Sequence, residues 1–268
     1  MKRYLGWFSC GVTSAIACKL ALDKYGKDNV DLYYIHINSA HEDNARFISD
    51  CEKWFGVTIH STHSKKYKDQ FEVIEDTGYV NGANGARCTV ELKKKVRYEL
   101  QEKLNFPIQI FGFEFETKQV NRALRFLDQY PETKPIFPLI EESYSKEICA
   151  GLIIEQGIEL PEMYKLGYSN NNCIGCVKGG AGYWNKIRID FPETFKRMAE
   201  AEREAGHSCI KNTFLDELKP NKGRMSKPIT PDCGSFCQIK YADIKHKKLD
   251  DIMNNPKQIT QLCFQFNP

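Results

Sequence analysis

The sequence predicts an α/β protein built on a parallel sheet, and three observations predict it. Through the first 140 residues, apolar runs of strand length alternate with longer segments of helical period. The turns that follow those runs are rich in Gly, Ser, Thr and Asn. With 268 residues, 41% hydrophobic and 12% aromatic, the chain can bury a real core, which excludes global disorder.

Each element carries its own signals. Residues 3–9, RYLGWFS, read as the first strand, and 13–26, TSAIACKLALDKYG, as a helix ended by Gly26. A second buried strand covers 30–38, VDLYYIHIN, followed by a helix over 42–56 that ends at Gly56. The third strand is 57–62, VTIHST. Residues 88–104 read as a helix, 107–114, PIQIFGFE, as the fourth strand, and 117–130 as another helix. Strands joined by helices imply a parallel sheet covered on both faces, with ligands at the carboxyl ends of the strands. The turns 9–14, 38–44 and 112–117 all fall at that edge.

The pattern changes near residue 141. A helix over 145–161 is stopped by Pro161, then a turn-rich cysteine loop leads into helices up to Gly206, and the rest is irregular. The expected organisation is an α/β core over 1–140 and a helical, cysteine-containing region over 141–268 packed on it.

Ser9, Cys10, Gly11, Val12, Thr13 and Ser14 connect the first strand to the first helix. The free amides and positive dipole end of a helix N-terminus suit an anion. Three hydroxyls add donors, and Gly11 lets a ligand approach the backbone. The alternative is that Thr13 or Ser14 simply caps the helix. The loop is neither a Walker A loop nor a GxGxxG fingerprint.

Eleven cysteines in a chain without a recognisable leader point to thiols and metal sites before disulfides. Cys18 and Cys149 lie in helical apolar patterns and read as core. Cys88 stands at a helix start beside Arg87, a setting that lowers a thiol pKa and favours the thiolate. Cys173 and Cys176, at C-x-x-C spacing around Gly175, direct two sulfurs at one metal or cluster. Cys233 and Cys237 form a second close pair.

The stretch FSCGVTSAIACKLAL resembles the PP-loop of the N-type ATP pyrophosphatases and of the phosphoadenosine phosphosulfate (PAPS) reductases. Ser9, Gly11 and Ser14 match the first, third and last positions of the usual S-G-G-x-D-S, while Cys10 replaces a glycine and Thr13 the acid. Losing that acid weakens the expectation of ATP cleavage with magnesium and leaves phosphate or sulfate binding intact. CTVELK from Cys88 is similar to the first cysteine motif of the iron–sulfur sulfonucleotide reductases, with Thr89 at the second cysteine, and NNCIGCVKGG supplies the C-x-x-C. Similar C-T-x-x-L-K segments occur in the DNA phosphorothioation sulfurtransferases, and the whole pattern resembles PAPS reductase-like proteins of phage and prophage type.

What the resemblance implies is a PP-loop fold of the adenine nucleotide alpha hydrolase-like type with a cysteine-rich extension. It implies an adenine nucleotide (ATP, PAPS or APS) and a 4Fe-4S cluster held by Cys88, Cys173 and Cys176. The fourth ligand is then Cys233, Cys237 or an outside group. Asp232-Cys233-Gly234 is similar to the tail of the reductases, whose cysteine attacks the sulfonucleotide, so Cys233 is either that nucleophile or a metal ligand. Two reactions follow: sulfonucleotide reduction with a thiol reductant, or sulfur transfer to an adenylated nucleic acid from a sulfur donor protein. A different reading is a non-redox nucleotide-binding or nucleotide-sensing protein with zinc at Cys173, Cys176, Cys233 and Cys237.

Smaller signals complete the expectations. His41, Glu42, Asp43, Asn44 and Arg46 stand where the superfamily meets adenosine, with His41 the chosen contact, or else they cap a helix. Lys93, Arg122, Lys178, Lys186 and Arg188 are candidate phosphate or sulfate ligands, Lys178 foremost because it adjoins the cysteine pair. Tyr183 and Trp184 read as packing residues. Net charge of +3 does not mark a nucleic-acid binder, and the basic runs at 93–95 and 245–248 read as solvated faces. No apolar stretch approaches the roughly 20 residues that span a bilayer, so the expected place is the cytoplasm of a bacterial cell or a phage-infected host.

Overall fold

Strands β1 (Tyr4–Phe8), β2 (Val30–Ile35), β3 (Ile59–Thr62) and β4 (Ile108–Ile110) pair in parallel in the order β3-β2-β1-β4. The computed structural model describes residues 4–82, 85–105, 107–225 and 227–232. β1 is central, with Tyr4 opposite both Val30 and Ile108. The chain winds β1, β2, β3 in one direction and then returns to the other side of β1 for β4. That reversal puts a crevice between the carboxyl ends of β1 and β4, where open α/β sheets bind ligands.

β2 alternates, with Val30, Leu32 and Tyr34 buried and their neighbours partly exposed. β4 is shorter than the sequence predicts because the chain leaves the sheet at Gly112. A Cβ there would stand 2.8 Å from Ser14 Cα, so only glycine lets the backbone pass this close to the first helix.

Helices α1 (Val12–Tyr25) and α2 (Asn44–Phe55) follow the first two strands. Phe47, Cys51 and Phe55 recur every four residues on α2 and are buried. Gly56, in the left-handed region, ends that helix through its amide on the Glu52 carbonyl. The sequence reading does not resolve α3 (Gln70–Thr77), which is capped by Asp69 accepting the Phe71 and Glu72 amides. The predicted helix over 88–104 is α4 (Arg87–Thr89), a π turn over Val90–Lys94, and α5 (Lys95–Lys103).

The remaining helices are α6 (Thr117–Gln129), α7 (Pro138–Glu141), α8 (Lys146–Glu155), α9 (Glu162–Lys165), α10 (Ala181–Asp190) and α11 (Pro192–Ala205). Residues beyond 141 share both main cores. Cys149, Ala150 and Ile153 of α8 pack with Ala17, Ala21 and the sheet. Trp184, Ile187 and Met198 close a second core over Phe71 and Ile74 of α3. Among the described residues no helix is long and apolar enough to cross a membrane.

Trp184 is the largest wholly buried side chain. Trp184→Ala should therefore cost about 3–5 kcal/mol, the usual scale for emptying an aromatic core site. Urea unfolding reads this directly, and a loss below about 1 kcal/mol would show that the second core does not depend on the indole.

Candidate functional site

The loop between β1 and α1 is organised by one hydroxyl. Ser14 Oγ accepts from the Ser9 amide at 3.0 Å, from Ser9 Oγ at 3.0 Å and from the Gly11 amide at 3.3 Å, and donates to the Gly11 carbonyl at 2.9 Å. Ser14 is thus spent on loop shape, and the Ser9 hydroxyl gives its hydrogen to the same oxygen. Cys10 and Val12 are wholly buried. Cys10 takes φ of 56°, a conformation that favours glycine, and its thiol is buried against Tyr34 with its pKa pushed well up by desolvation. Cys10 therefore accepts backbone strain in exchange for a core contact.

A cleft of about 620 Å³ opens at the switch point between β1 and β4. Ser9, Thr13 and Ser14 line it from one side, and Phe111, Gly112, Phe113 and Glu114 from the other. Seven cations reach it: Lys93, Lys94, Arg97, Arg122, Arg125, Lys146 and Lys178. Glu114 is the single carboxylate among the described lining residues, with Lys146 3.6 Å away and burial raising its pKa. Lys93, a candidate phosphate ligand from sequence, and Lys94, read with it only as part of a solvated run, sit on the π turn, whose extra residue shifts the helix phase and turns them to the cleft.

Arg97 was invisible to sequence reasoning. Its guanidinium lies 5.2–5.6 Å from the ring centres of Tyr98, Phe111, Phe126 and Tyr130, and its Nε and Nη2 are buried without hydrogen-bond partners. Arg122 stacks over Phe113 at 4.5 Å. Buried donors left unpaired on the wall of a cleft are ready for an anionic or carbonyl ligand.

Asn171 joins the cysteine loop to this site. Its Nδ2 donates to the Cys10 carbonyl at 2.7 Å and to Asn44 Oδ1 at 2.8 Å. The C-x-x-C turn is fixed from several sides. The Ile174 amide donates to the Ser39 carbonyl at 2.8 Å, Gln70 Nε2 to the Ile174 carbonyl at 2.9 Å, and the Cys176 amide to Tyr183 Oη at 2.9 Å. Tyr183 is thus more than packing, since its hydroxyl also donates to the Cys173 carbonyl at 3.3 Å. Gly175 needs its positive φ of 74° here, and a Cβ would press on Thr194.

Cys88, Cys173 and Cys176 stand within electrostatic reach of one another, with Lys178 and Lys93 beside them. The expectation of a lowered Cys88 pKa is overturned. Burial first, and then the Cys176 and Cys173 thiols, push it up to about 11, with Lys178 and Lys93 pulling the other way. Arg87, expected to act on the thiol, is held 2.8 Å from Glu91 instead. Burial also raises Cys176. Desolvation lowers Lys178, with Lys93 and Arg122 adding to the shift. Among the described residues no three His, Cys, Asp or Glu side chains converge on a point as they would around a single ion. A thiol donor set flanked by lysines nevertheless suits thiolate-bound iron.

Other expectations divide. His41 is not among the residues lining the cleft. Its Nδ1 accepts the Asp43 amide and its ring lies edge-on to Phe191, while Asn44 of the same turn does line it. Lys186 pairs with Asp190 at 2.8 Å, and Arg188 donates to the Leu215 and Leu218 carbonyls, so both are structural. Cys233 and Cys237 lie outside the described residues. A residue without an expected role, Cys209, is buried in the second core, against which Cys88 packs.

Asp43 and Arg46 serve as a clamp. Arg46 binds both Asp43 oxygens, at 2.6 and 2.8 Å, and donates to the Glu159 and Leu160 carbonyls, while Asp43 also accepts the Glu162 amide. Arg46 chiefly holds the Asp43 pKa below its usual value. A lowered carboxyl pKa contributes stability that is present above the unfolded value and lost as pH falls through the folded one. The stability gap between the protein and Asp43→Asn should be full at about pH 6 and close at acid pH, below about pH 3. Urea unfolding at both pH values reads the gap, and one that widened toward acid would refute the clamp.

No protein-family model matches the chain, and no curated protein matches it, so the reading of the site stands on its own residues.

Proposed function

We propose that this protein is a PAPS reductase-like enzyme with a PP-loop, binding an adenine nucleotide at the Ser9–Ser14 turn and carrying out sulfur chemistry at the cysteines. One observation carries the reading. The anion loop after β1 and the cysteine loop after α9 line the same cleft, Ser9 and Thr13 on one side and Cys173 and Lys178 on another. A nucleotide whose phosphates sat on the loop would present its substituent to the thiols.

Charge favours sulfonucleotide reduction over ATP-dependent sulfur transfer. Magnesium pyrophosphate needs carboxylates for its metal, and the cleft offers Glu114, which Lys146 already engages, against seven cations. Thr13 in place of the loop acid points the same way. A metal-free polyanion fits that balance better. In such a reduction a cysteine thiolate attacks the sulfonate sulfur, and the S–O bond breaks with the adenosine phosphate as leaving group. A thiol reductant then attacks the cysteine sulfur, forming a disulfide and releasing sulfite with the electron pair. The resemblance gives the attacking role to Cys233, outside the described residues. Lys178, beside Cys88 and Cys176, holds the sulfonate charge. Cys88, Cys173 and Cys176 would hold a cluster, whose iron would add positive charge to this side of the site.

Protein purified without oxygen should carry about four irons and four sulfides per chain and release sulfite from PAPS in the presence of a dithiol. Arg122→Ala should weaken binding of adenosine 3′,5′-bisphosphate about tenfold, close to 1.4 kcal/mol, without magnesium dependence. Binding unchanged in that variant would remove the cationic wall from the site. Conversion of ATP to AMP and pyrophosphate would transfer the reading to sulfur transfer, and a colourless protein with about one zinc would overturn the redox assignment.

A further inference from the structure

We propose that Cys209 is the fourth thiolate of the metal centre, joining Cys88, Cys173 and Cys176 in place of the cysteine missing at Thr89. The inference rests on the iron–sulfur reading above and identifies a ligand that reading leaves open.

Cys209 is far in sequence from the other three, yet the fold delivers it to them. Cys209 belongs to the core over α3, and Cys88 packs against that core. Val177 and Ile174, which flank Cys176 and follow Cys173, lie in or against the same core. Burial first, and then the Glu202 carboxylate, push the Cys209 thiol pKa up, with the Cys176 and Cys88 thiols adding to the shift. Cys209 and Cys88 therefore meet in one core, to which the C-x-x-C turn contributes Ile174 and Val177.

The segment that carries Cys209 is locked at unusual cost. Glu202, on the last turns of α11, is 0% exposed. Its carboxylate accepts the Cys209 amide through one oxygen and the Leu215 amide at 2.7 Å through the other. Burying a carboxylate is expensive unless it is hydrogen-bonded. Here two backbone amides, each in need of a partner, repay part of that cost and fix the backbone at Cys209.

The four sulfurs do not have to converge on one point. Zinc, with Zn–S bonds of about 2.3 Å, draws its thiolates together around a single ion. A four-iron cluster bonds each thiolate to a different iron and spaces them more widely. Among the described residues no three such groups meet at one point, so the second arrangement is the one proposed. Cys18 and Cys149, buried in the first core, provide internal controls.

The test compares iron, acid-labile sulfide and the electron paramagnetic resonance spectrum of the full-length protein with those of Cys209→Ala, Cys209→Ser and Cys149→Ala, all purified without oxygen. Cys209→Ala should fall from about four irons per chain to about three or fewer. Cys209→Ser, nearly the same size and able to ligate through oxygen, should retain more iron with a shifted spectrum of the reduced cluster. Cys149→Ala should match the parent. A Cys209→Ala protein with full iron and sulfide and an unchanged spectrum overturns the proposal while leaving the iron–sulfur reading intact, whereas a parent protein without iron overturns both. Should Cys209→Ala fail to fold, the parent alone decides. Removing its iron should raise iodoacetamide labelling of Cys209 together with Cys88, Cys173 and Cys176, and labelling of Cys209 that stays as slow as that of Cys18 and Cys149 refutes ligation.

Discussion

The Asn171 carboxamide is the contact on which the site depends. Its two donor hydrogens go to the Cys10 carbonyl and to Asn44 Oδ1, so one planar group spans the first loop, the turn after β2 and the cysteine segment. Asn44 in turn donates to Tyr34 Oη at 3.2 Å, and the Cys10 thiol rests on the same tyrosine. These groups are buried or nearly so, which makes each unpaired alternative costly. The Ser9–Ser14 loop and the cysteine segment keep their relative position because separating them strands several polar groups at once. Asn171 Oδ1 is itself buried without a partner, leaving an acceptor at the junction.

The same economy explains the loop. A φ of 56° at Cys10 costs about 1–2 kcal/mol for a residue with a Cβ. The strain persists because the Ser14 hydroxyl ties the turn internally and Gly112 lets β4 run against its far side. A Cβ on Gly11 would stand 3.3 Å from Tyr164 Oη, so the C-terminal region also bears on the turn. The helix N-terminus is thus held from three directions, which suits a ligand that must be bound without rearrangement.

What the sequence made legible follows from periodicity and spacing. The alternation of strands and helices placed all four strands and put the Ser9–Ser14 turn at their carboxyl ends. C-x-x-C spacing singled out Cys173 and Cys176 because two residues between cysteines already constrain where both sulfurs point. Tertiary facts stayed hidden. Arg97 and Arg125 read as ordinary helix-surface cations until the fold turns them to a cleft. Cys209 has no neighbouring cysteine to mark it, and its anchor, Glu202, reads as an exposed glutamate on a charged helix. The direction of the Cys88 shift failed for the same reason. Arg87 and the helix start are visible in the sequence, whereas the burial that outweighs them is not.

That reversal bears on how the proposed anion and the thiols beside the cleft, Cys173 among its lining residues, would coexist. Burial and mutual repulsion disfavour the thiolate at Cys88 and Cys176, and Lys178 and Lys93 oppose it only in part. Those lysines also line the space an anion would occupy. An anion arriving there would take up the positive field on which the thiolates rely, and the buried sulfurs would tend to regain their protons. A thiolate bonded to iron does not face this competition, because its counter-charge is the metal and not the lysine. The juxtaposition of an anion loop, shared lysines and buried sulfurs is therefore coherent when the sulfurs are held by something the anion cannot displace, which leaves Lys178 and Lys93 to the ligand.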